Sequence, residues 1–217
     1  MKKLIGLLVI FLMGCSSVEL VHSWKNPEIV IFDAQKVLIV GMTSNEDARE
    51  MYETRLVREF KKRDIEAVRS LDLFDVKFTH SARSEEELDQ VEALLLSRDF
   101  DAVLFTKIMG SENREIFREK MVDLENYDSG FREDYLSSQD IYYDEGYYDE
   151  YTVYHAETSL YCICIGKERD LIWRGALDIT DPIDVRNTVD DYIRLVVFAL
   201  EDQDLIFHKE KEEEGVL

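Results

Sequence analysis

The chain is poor in positive charge: 26 lysines and arginines stand against 47 aspartates and glutamates in 217 residues, a formal net charge of −21. A surface with this excess of acid is repelled by phosphate backbones and by anionic lipid headgroups, so the composition argues against a nucleic-acid partner. Cations or basic proteins stay open as partners, although acidity of this kind often only keeps a protein soluble.

Cysteine is scarce as well, with three in the chain. Cys162 and Cys164 lie two apart in a segment that reads as a strand, where ~3.3 Å per residue separates their Cα atoms by about 6.5 to 7 Å. This is at or beyond the limit of disulfide geometry, so we predict two small buried hydrophobic residues, with a redox or metal pair as the alternative. The four histidines are scattered along the chain and add no further ligand: His22, His80, His155 and His208. We therefore predict no metal site and no cofactor.

Catalytic motifs are missing too. The chain has no Gly-x-Ser-x-Gly, no His-Glu-x-x-His, no paired Cys-x-x-Cys and no glycine-rich phosphate loop. Pairs of carboxylates are common, but among 47 acids they carry little information about acid–base catalysis. We therefore predict a protein that is not an enzyme, and keep a hydrolase as the alternative.

The first residues form an apolar run that is too short to cross a membrane. Lys2 and Lys3 precede ten apolar positions, 4–13, with one glycine among them. At ~1.5 Å per residue this run covers about half of a ~30 Å hydrocarbon core. A basic start followed by a run of this length is typical of a secretory signal peptide.

The run ends in Leu-Met-Gly-Cys at 12–15, which resembles the lipobox of bacterial lipoproteins. The resemblance implies that residues 1–14 are removed and that Cys15 takes a diacylglyceryl group and acyl chains such as palmitate. Two or three chains make such an attachment effectively permanent. Ser16 after the cysteine implies the outer membrane, and we expect the domain to face the periplasm. The alternative is an ordinary signal peptide that ends near a cysteine.

The remaining residues are enough for one domain with a core. We predict a lipidated N-terminus and tether at 15–30, a single domain at 31–207 and a charged tail at 208–217. Without Lys2 and Lys3 the mature chain carries −23.

Strand and helix patterns alternate in the first half of the domain. The apolar run 36–42 predicts a strand covered on both faces, and Thr43 opens a capping box before a helix. A second strand at 65–71, a helix capped by Ser84 and a third strand at 101–109 follow. This order predicts parallel strands joined by right-handed crossovers. Four side chains should be inaccessible in the central strands: Val37, Ile39, Val103 and Phe105.

The second half predicts an antiparallel hairpin and a last helix. Strands at 152–165 and 171–179 are joined by five residues, and Asp181 with Pro182 suits a helix start. The predicted fold class is α/β with α+β character: a mixed sheet from a β-α-β-α-β unit, then a hairpin and a C-terminal helix. The loop 41–45 lies where α/β sheets bind ligands, but it has no glycine-rich phosphate fingerprint, so we predict an ordinary capped turn with a ligand site as the alternative.

An acidic, tyrosine-rich insert at about 111–150 breaks this pattern. It holds thirteen acids, four bases and six of the eleven tyrosines, a composition that argues against a packed element. Its tyrosines could form a recognition surface, its acids could bind Ca²⁺ without the spacing of an EF-hand, or it could be solvated and without a partner. The candidate binding residues are Tyr142, Tyr143, Tyr147, Tyr148, Asp144, Glu145, Asp149 and Glu150.

Several stretches together resemble a family. The lipobox, Ser-Trp-Lys-Asn-Pro at 23–27, Val-Leu-Ile-Val-Gly-Met at 37–42 and Leu-Ile-Trp-Arg-Gly-Ala at 171–176 resemble small bacterial outer-membrane lipoproteins with an uncharacterised envelope domain. That domain is distantly similar to the N-terminal domain of TolB and to the Pel and curli export lipoproteins. The resemblance covers about 20–207 except the insert and implies a fold and a location, without catalytic residues. With no catalytic residues to carry over, we predict a lipid-anchored module that binds or scaffolds an envelope protein or glycan; the alternative is a lipid-anchored hydrolase that acts on envelope polymers.

Overall fold

The computed structural model describes residues 17–74, 76–79, 81–109, 130–143, 153–163, 171–180 and 184–207. The strands are β1 Val18–Lys25, β2 Lys36–Met42, β3 Glu66–Arg69, β4 Ala102–Met109, β5 Val153–Cys162 and β6 Leu171–Thr180. The helices are α1 Glu46–Lys61, α2 Ser70–Leu73, α3 Glu85–Ser97, α4 Phe131–Ser138, α5 Asp140–Tyr143 and α6 Val185–Asp202, with a 3-10 turn at Val76–Thr79. In these ranges no helix combines the length and apolar character needed to cross a bilayer.

The six strands form one mixed sheet in the order β1-β6-β5-β4-β2-β3. Strands β3, β2 and β4 are parallel, while β4, β5, β6 and β1 pair antiparallel in turn. The predicted β-α-β-α-β unit, hairpin and C-terminal helix are confirmed. The four residues expected in the central strands are at most 1% exposed: Val37, Ile39, Val103 and Phe105.

Helices cover both faces of the sheet. Helices α1 and α6 pack on one face, where Leu56, Phe60 and Leu200 are fully buried. Helices α3, α4 and α5 cover the other face, with Leu95 and Phe131 among their buried side chains. Each helix presents one apolar stripe to the sheet, which is the usual way in which a layered α/β domain closes its core.

Two helices begin later than the sequence predicts. The N-cap of α1 is Asn45, whose side chain accepts from Ala48 N at 3.0 Å, while Thr43 Oγ1 only accepts from Asn45 N at 3.2 Å. The N-cap of α6 is Asp184, not Asp181. Ser, Thr, Asn and Asp all cap helices, so several such residues in one loop leave the choice to the tertiary contacts. The capping box at Ser84 is confirmed.

The expected tether is a strand. Val18–Lys25 forms β1 and pairs antiparallel with β6, with a register shift between Leu20 and His22. Residues next to a lipobox suggested a linker, but apolar and polar side chains alternate there as they do in an edge strand. The domain therefore begins close behind Cys15.

Candidate functional site

The candidate site lies where β2 ends, at the loop for which the sequence left a ligand site open as the alternative to an ordinary capped turn. Strand β2 runs to Met42, and α1 starts four residues later. Gly41 allows α1 to approach the strand closely, because a Cβ atom there would lie 3.2 Å from Cδ1 of Tyr52. The short distance lets side chains of α1 reach the main chain at the end of the strand.

Glu53 of α1 is the buried anion at this strand end, with no exposed surface. Its Oε1 accepts from Gly41 N at 2.9 Å, Arg49 Nε at 3.2 Å and Ser70 Oγ at 2.7 Å. Its Oε2 accepts from Leu71 N at 3.1 Å. Four donors satisfy the charge that burial would otherwise penalise, so Glu53 ties β2, α1 and α2 together.

Tyr142 closes the same site from α5. Its hydroxyl donates to Gly41 O at 3.3 Å, and its ring lies under the Arg49 guanidinium, 4.9 Å from Cζ to the ring centroid. Arg49 Nη2 also donates to Ser70 Oγ at 2.9 Å. Burial raises the pKa of the Tyr142 hydroxyl above its usual range, so this phenol stays protonated and acts as a donor.

A cleft of about 300 Å³ opens above these groups. Its lining includes Thr43, Ser44, Arg49, Arg69, Asp72 and Tyr142. Arg69 Nε donates to Asp72 Oδ2 at 2.8 Å, and this hydrogen bond lowers the pKa of the Asp72 carboxyl. Both charged partners are therefore already engaged with each other at the rim of the cleft.

A second set of polar groups lies under α4, on the face of the sheet that α3, α4 and α5 cover. We call Lys107, Asp134, Glu157 and Arg174 the ion cluster; all four are at most 6% exposed. Lys107 Nζ contacts Asp134 and lies 3.1 Å from Glu157 Oε1. Arg174 Nε lies 3.2 Å from the same Oε1, and Tyr161 donates its hydroxyl to Asp134 Oδ2 at 2.5 Å.

The ion cluster is neutral and its charges depend on one another. Burial alone would raise the pKa of Asp134, but the charge and hydrogen bond of Lys107 and the Tyr161 hydroxyl outweigh it, so this pKa is lowered. Burial acts in the opposite sense on Lys107, where Glu157 and Asp134 keep the pKa raised. Among the described residues, Glu157 Oε2 and Arg174 Nη1 have no hydrogen-bond partner.

The cluster continues along β5 into a buried histidine–aspartate pair. His155 Nδ1 lies 2.6 Å from Asp178 Oδ1, and the two residues are 1% and 4% exposed. Sequence analysis missed this polar face and treated His155 as isolated. The sequence of β5 does carry a signal for this face, because polar residues recur at every second position and therefore lie on one side of the strand. These residues are His155, Glu157, Ser159 and Tyr161.

Only part of the predicted binding surface falls within the described residues. Tyr142 is half-buried in the cleft, whereas Tyr143 is 37% exposed and donates its hydroxyl to Asp140 Oδ1 at 2.6 Å. The other six candidates lie outside the described residues: Tyr147, Tyr148, Asp144, Glu145, Asp149 and Glu150. The structure thus brings Tyr142, but not Tyr143, into contact with the strand-end loop.

The expectation that the insert has no packed element is wrong for residues 130–143. Phe131, Tyr135 and Ile141 are at most 4% exposed and pack in the core cluster that includes Phe105. Net charge averaged over forty residues hides a short amphipathic stretch whose apolar side chains recur at helical spacing. This stretch also supplies Asp134 to the ion cluster.

The cysteine prediction also needs correction. Cys162 is 4% exposed, as expected of a small buried residue, but it is disulfide-bonded. The partner and Cys164 lie outside the described residues. The expectation used the spacing of an ideal strand, and Cys162 is the last residue of β5, so that spacing does not apply beyond it. In the described part of the chain, no three His, Cys, Asp or Glu side chains are grouped to hold a metal ion.

Comparisons with known proteins give distant structural similarities. No protein-family model and no curated protein matches the chain. Two structures of a dodecameric PelC from Paraburkholderia phytofirmans are 12% and 10% identical, cover 86% and 87% of this chain and 99% and 98% of theirs, and give TM-scores of 0.40 and 0.39. The lipoprotein GNA1162 from Neisseria meningitidis is 10% identical, covers 77% of this chain and 98% of its own, and gives a TM-score of 0.33.

The uncharacterised envelope domain that the sequence resembles is matched by no family model.

Proposed function

We propose that the protein is a lipid-anchored module of the cell envelope that binds or scaffolds an envelope protein or glycan and catalyses no reaction. The lipobox supports the anchor at Cys15, and Ser16 supports the outer membrane with the domain in the periplasm. In this proposal the partner binds to the surface of the domain.

The observation that carries the proposal is how the buried charges of the two polar sites are paired. Glu53 receives four donors, and each member of the ion cluster contacts an opposite charge. A general acid or base must come within hydrogen-bond reach of its substrate. Groups that are nearly inaccessible and held by each other contribute to the fold and to its specificity, which is the role of a rigid scaffold.

The tyrosines of the insert support recognition. Tyrosine offers a large, rigid contact area with little loss of side-chain entropy, together with one polar atom. Tyr143 is the exposed example among the described residues and stands next to the packed Tyr142. A binding surface built on such a pair has one tyrosine fixed in the domain and its neighbour directed to the partner.

Replacing Cys15 by alanine should release the protein from the membrane. The thiol is the atom that carries the diacylglyceryl group, and without it no acyl chain can be added at this position. Detergent phase partitioning of cell extracts measures the change: wild type should enter the detergent phase, and the variant should remain in the aqueous phase or as an uncut precursor. A variant of mature size that partitions with detergent contradicts the anchor.

Changing Tyr143, Tyr147 and Tyr148 together to serine should abolish partner capture without unfolding the domain. Tyr142 is left in place because it packs on Arg49. The measurement is in-cell crosslinking followed by purification and mass spectrometry, with the melting temperature recorded for each protein. The matched control is Phe198→Ser, which removes a 60% exposed aromatic residue from α6. If the triple variant captures the same proteins in the same yield as wild type, the tyrosines are not the binding surface.

A further inference from the structure

The start of β1 is fixed beside the first turn of α6. Thr180 N, at the end of β6, donates to Ser17 O at 2.8 Å. Ser17 Oγ lies 3.3 Å from Thr188 Oγ1, and Val18 pairs with Ile179. The backbone that leads from Cys15 therefore enters the domain at a defined corner of the sheet.

Several other strands begin or end at the same end of the sheet. Met109, the last residue of β4, pairs with His155, and Val153, the first residue of β5, pairs with Thr180. Strand β2 also ends there, because Met42 pairs with Lys107. We call this the proximal end and define it by residues 43–47, 153, 180 and 184–187.

We propose that the proximal end faces the bilayer. The inference rests on the proposed lipidation of Cys15, which lies two residues before Ser17 in the sequence. Two residues span at most about 7 Å, so the lipidated residue cannot move far from the corner where β1 starts. The opposite end of the sheet, with Lys36 and Glu66, is then directed away from the membrane. Strand β2 alone puts about 20 Å between the two ends at ~3.3 Å per residue.

The net charge of the proximal end is negative, so the lipid, and not electrostatic attraction, would hold this end at the membrane. Three acids and one base, Arg186, lie in 43–47 and 184–187: the acids are Glu46, Asp47 and Asp184. Anionic headgroups attract basic segments, so this end gains nothing from them. The surface that the proximal end fits is a neutral headgroup layer.

This orientation places the candidate site at the membrane surface. The cleft is lined by Thr43 and Ser44, which belong to the proximal end. Both attachment points of segment 110–152, Met109 and Val153, are also at this end. A partner of the site would therefore meet the domain beside the bilayer and not at the far end of the sheet.

Tryptophan quenching tests the orientation. The lipidated protein is reconstituted in phosphatidylcholine vesicles that contain a lipid with a nitroxide on its headgroup. Ser44→Trp places an exposed reporter at the proximal end, and Glu66→Trp places an exposed matched reporter at the opposite end. The native Trp24 and Trp173 form a constant background, which wild-type protein measures. After subtraction, emission from Ser44→Trp should be quenched several-fold more strongly than emission from Glu66→Trp.

Two controls separate this proposal from the anchor itself. Vesicle flotation comes first: wild type that does not float, or Cys15→Ala that floats equally well, refutes the anchor and the orientation with it. If wild type floats and Cys15→Ala does not, equal quenching of both reporters, or stronger quenching of Glu66→Trp, overturns the orientation alone. Melting temperatures near that of wild type verify that both tryptophan variants are folded.

Discussion

Deletion of residues 126–150 is expected to abolish cooperative unfolding of the domain. The deleted segment includes Phe131, Tyr135 and Ile141, which are at most 4% exposed. Truncation of one buried large side chain to alanine costs about 2–5 kcal/mol, and a typical domain is stable by only ~5–15 kcal/mol. The deletion also removes Asp134, which leaves Lys107 and the Tyr161 hydroxyl without the carboxylate between them.

Circular dichroism during heating and urea titration measures this effect. Single substitutions give a graded test. Phe131→Ala should cost about 3–5 kcal/mol, while Tyr143→Ala, at an exposed position twelve residues further along the chain on α5, should stay within ~0.5 kcal/mol. A deletion variant that melts cooperatively near the wild-type midpoint would show that α4 and α5 are not part of the core.

Replacing Lys107 by methionine is expected to destabilise the domain by about 3–5 kcal/mol, the typical cost of removing one partner from a buried ion pair. The methionine keeps the length of the side chain but removes its charge, so Arg174 is the one cation left between Asp134 and Glu157. Arg174 Nη2 is 4.0 Å from Asp134 Oδ2. Denaturant titration measures the loss. Lys36→Met is the matched control, because Lys36 pairs with the exposed Glu66 at 3.0 Å and should cost at most ~1 kcal/mol.

The stability of the variant should depend on pH between 7 and about 5, where that of the wild-type pair should not. In wild type the pKa of Asp134 is lowered, so its contribution is present above the unfolded pKa of about 4 and is lost as the pH falls through the folded value. The pKa of Lys107 is raised, and its contribution is lost only when the pH rises through the folded value, above about 10.4. Between these limits the pair should contribute a constant stability.

Without Lys107, the burial that raises the pKa of Asp134 is opposed only by the Tyr161 hydroxyl and Arg174, so we expect the folded pKa of Asp134 to rise above the unfolded one. The variant should then become more stable as the pH falls from 7 to about 5, because the native state binds a proton that the unfolded state does not. Asp134→Asn added to Lys107→Met should recover part of the lost stability at neutral pH by removing the unpaired charge. A Lys107→Met variant with the wild-type midpoint and a flat pH profile would contradict the electrostatic role of the ion cluster.

Patterns within a short stretch of sequence correctly predicted features of the fold that depend on that stretch alone. The apolar run of β2 and the capping box at Ser84 each occupy one short stretch of chain, and both were confirmed. The alternation of apolar and polar side chains at 18–25 is a local sign of strand β1, but its pairing with β6, about 150 residues away, leaves no local sign in the sequence. The same reason applies to the candidate site. Lys107, Asp134, Glu157 and Arg174 come from four elements, so their spacing in the sequence gives no sign that they meet.

The pairing of β1 with β6 also has a mechanical consequence. A partner that pulls the domain away from the membrane would load the chain between Cys15 and the sheet, along the axis of β1. Because β1 lies antiparallel beside β6 from Val18 to Lys25, this tension acts in shear on the whole ladder at once. Shear must disrupt many hydrogen bonds together, whereas a peeling force breaks them one after another. Under the proposed anchoring, the first strand of the domain would carry force between the bilayer and a bound partner.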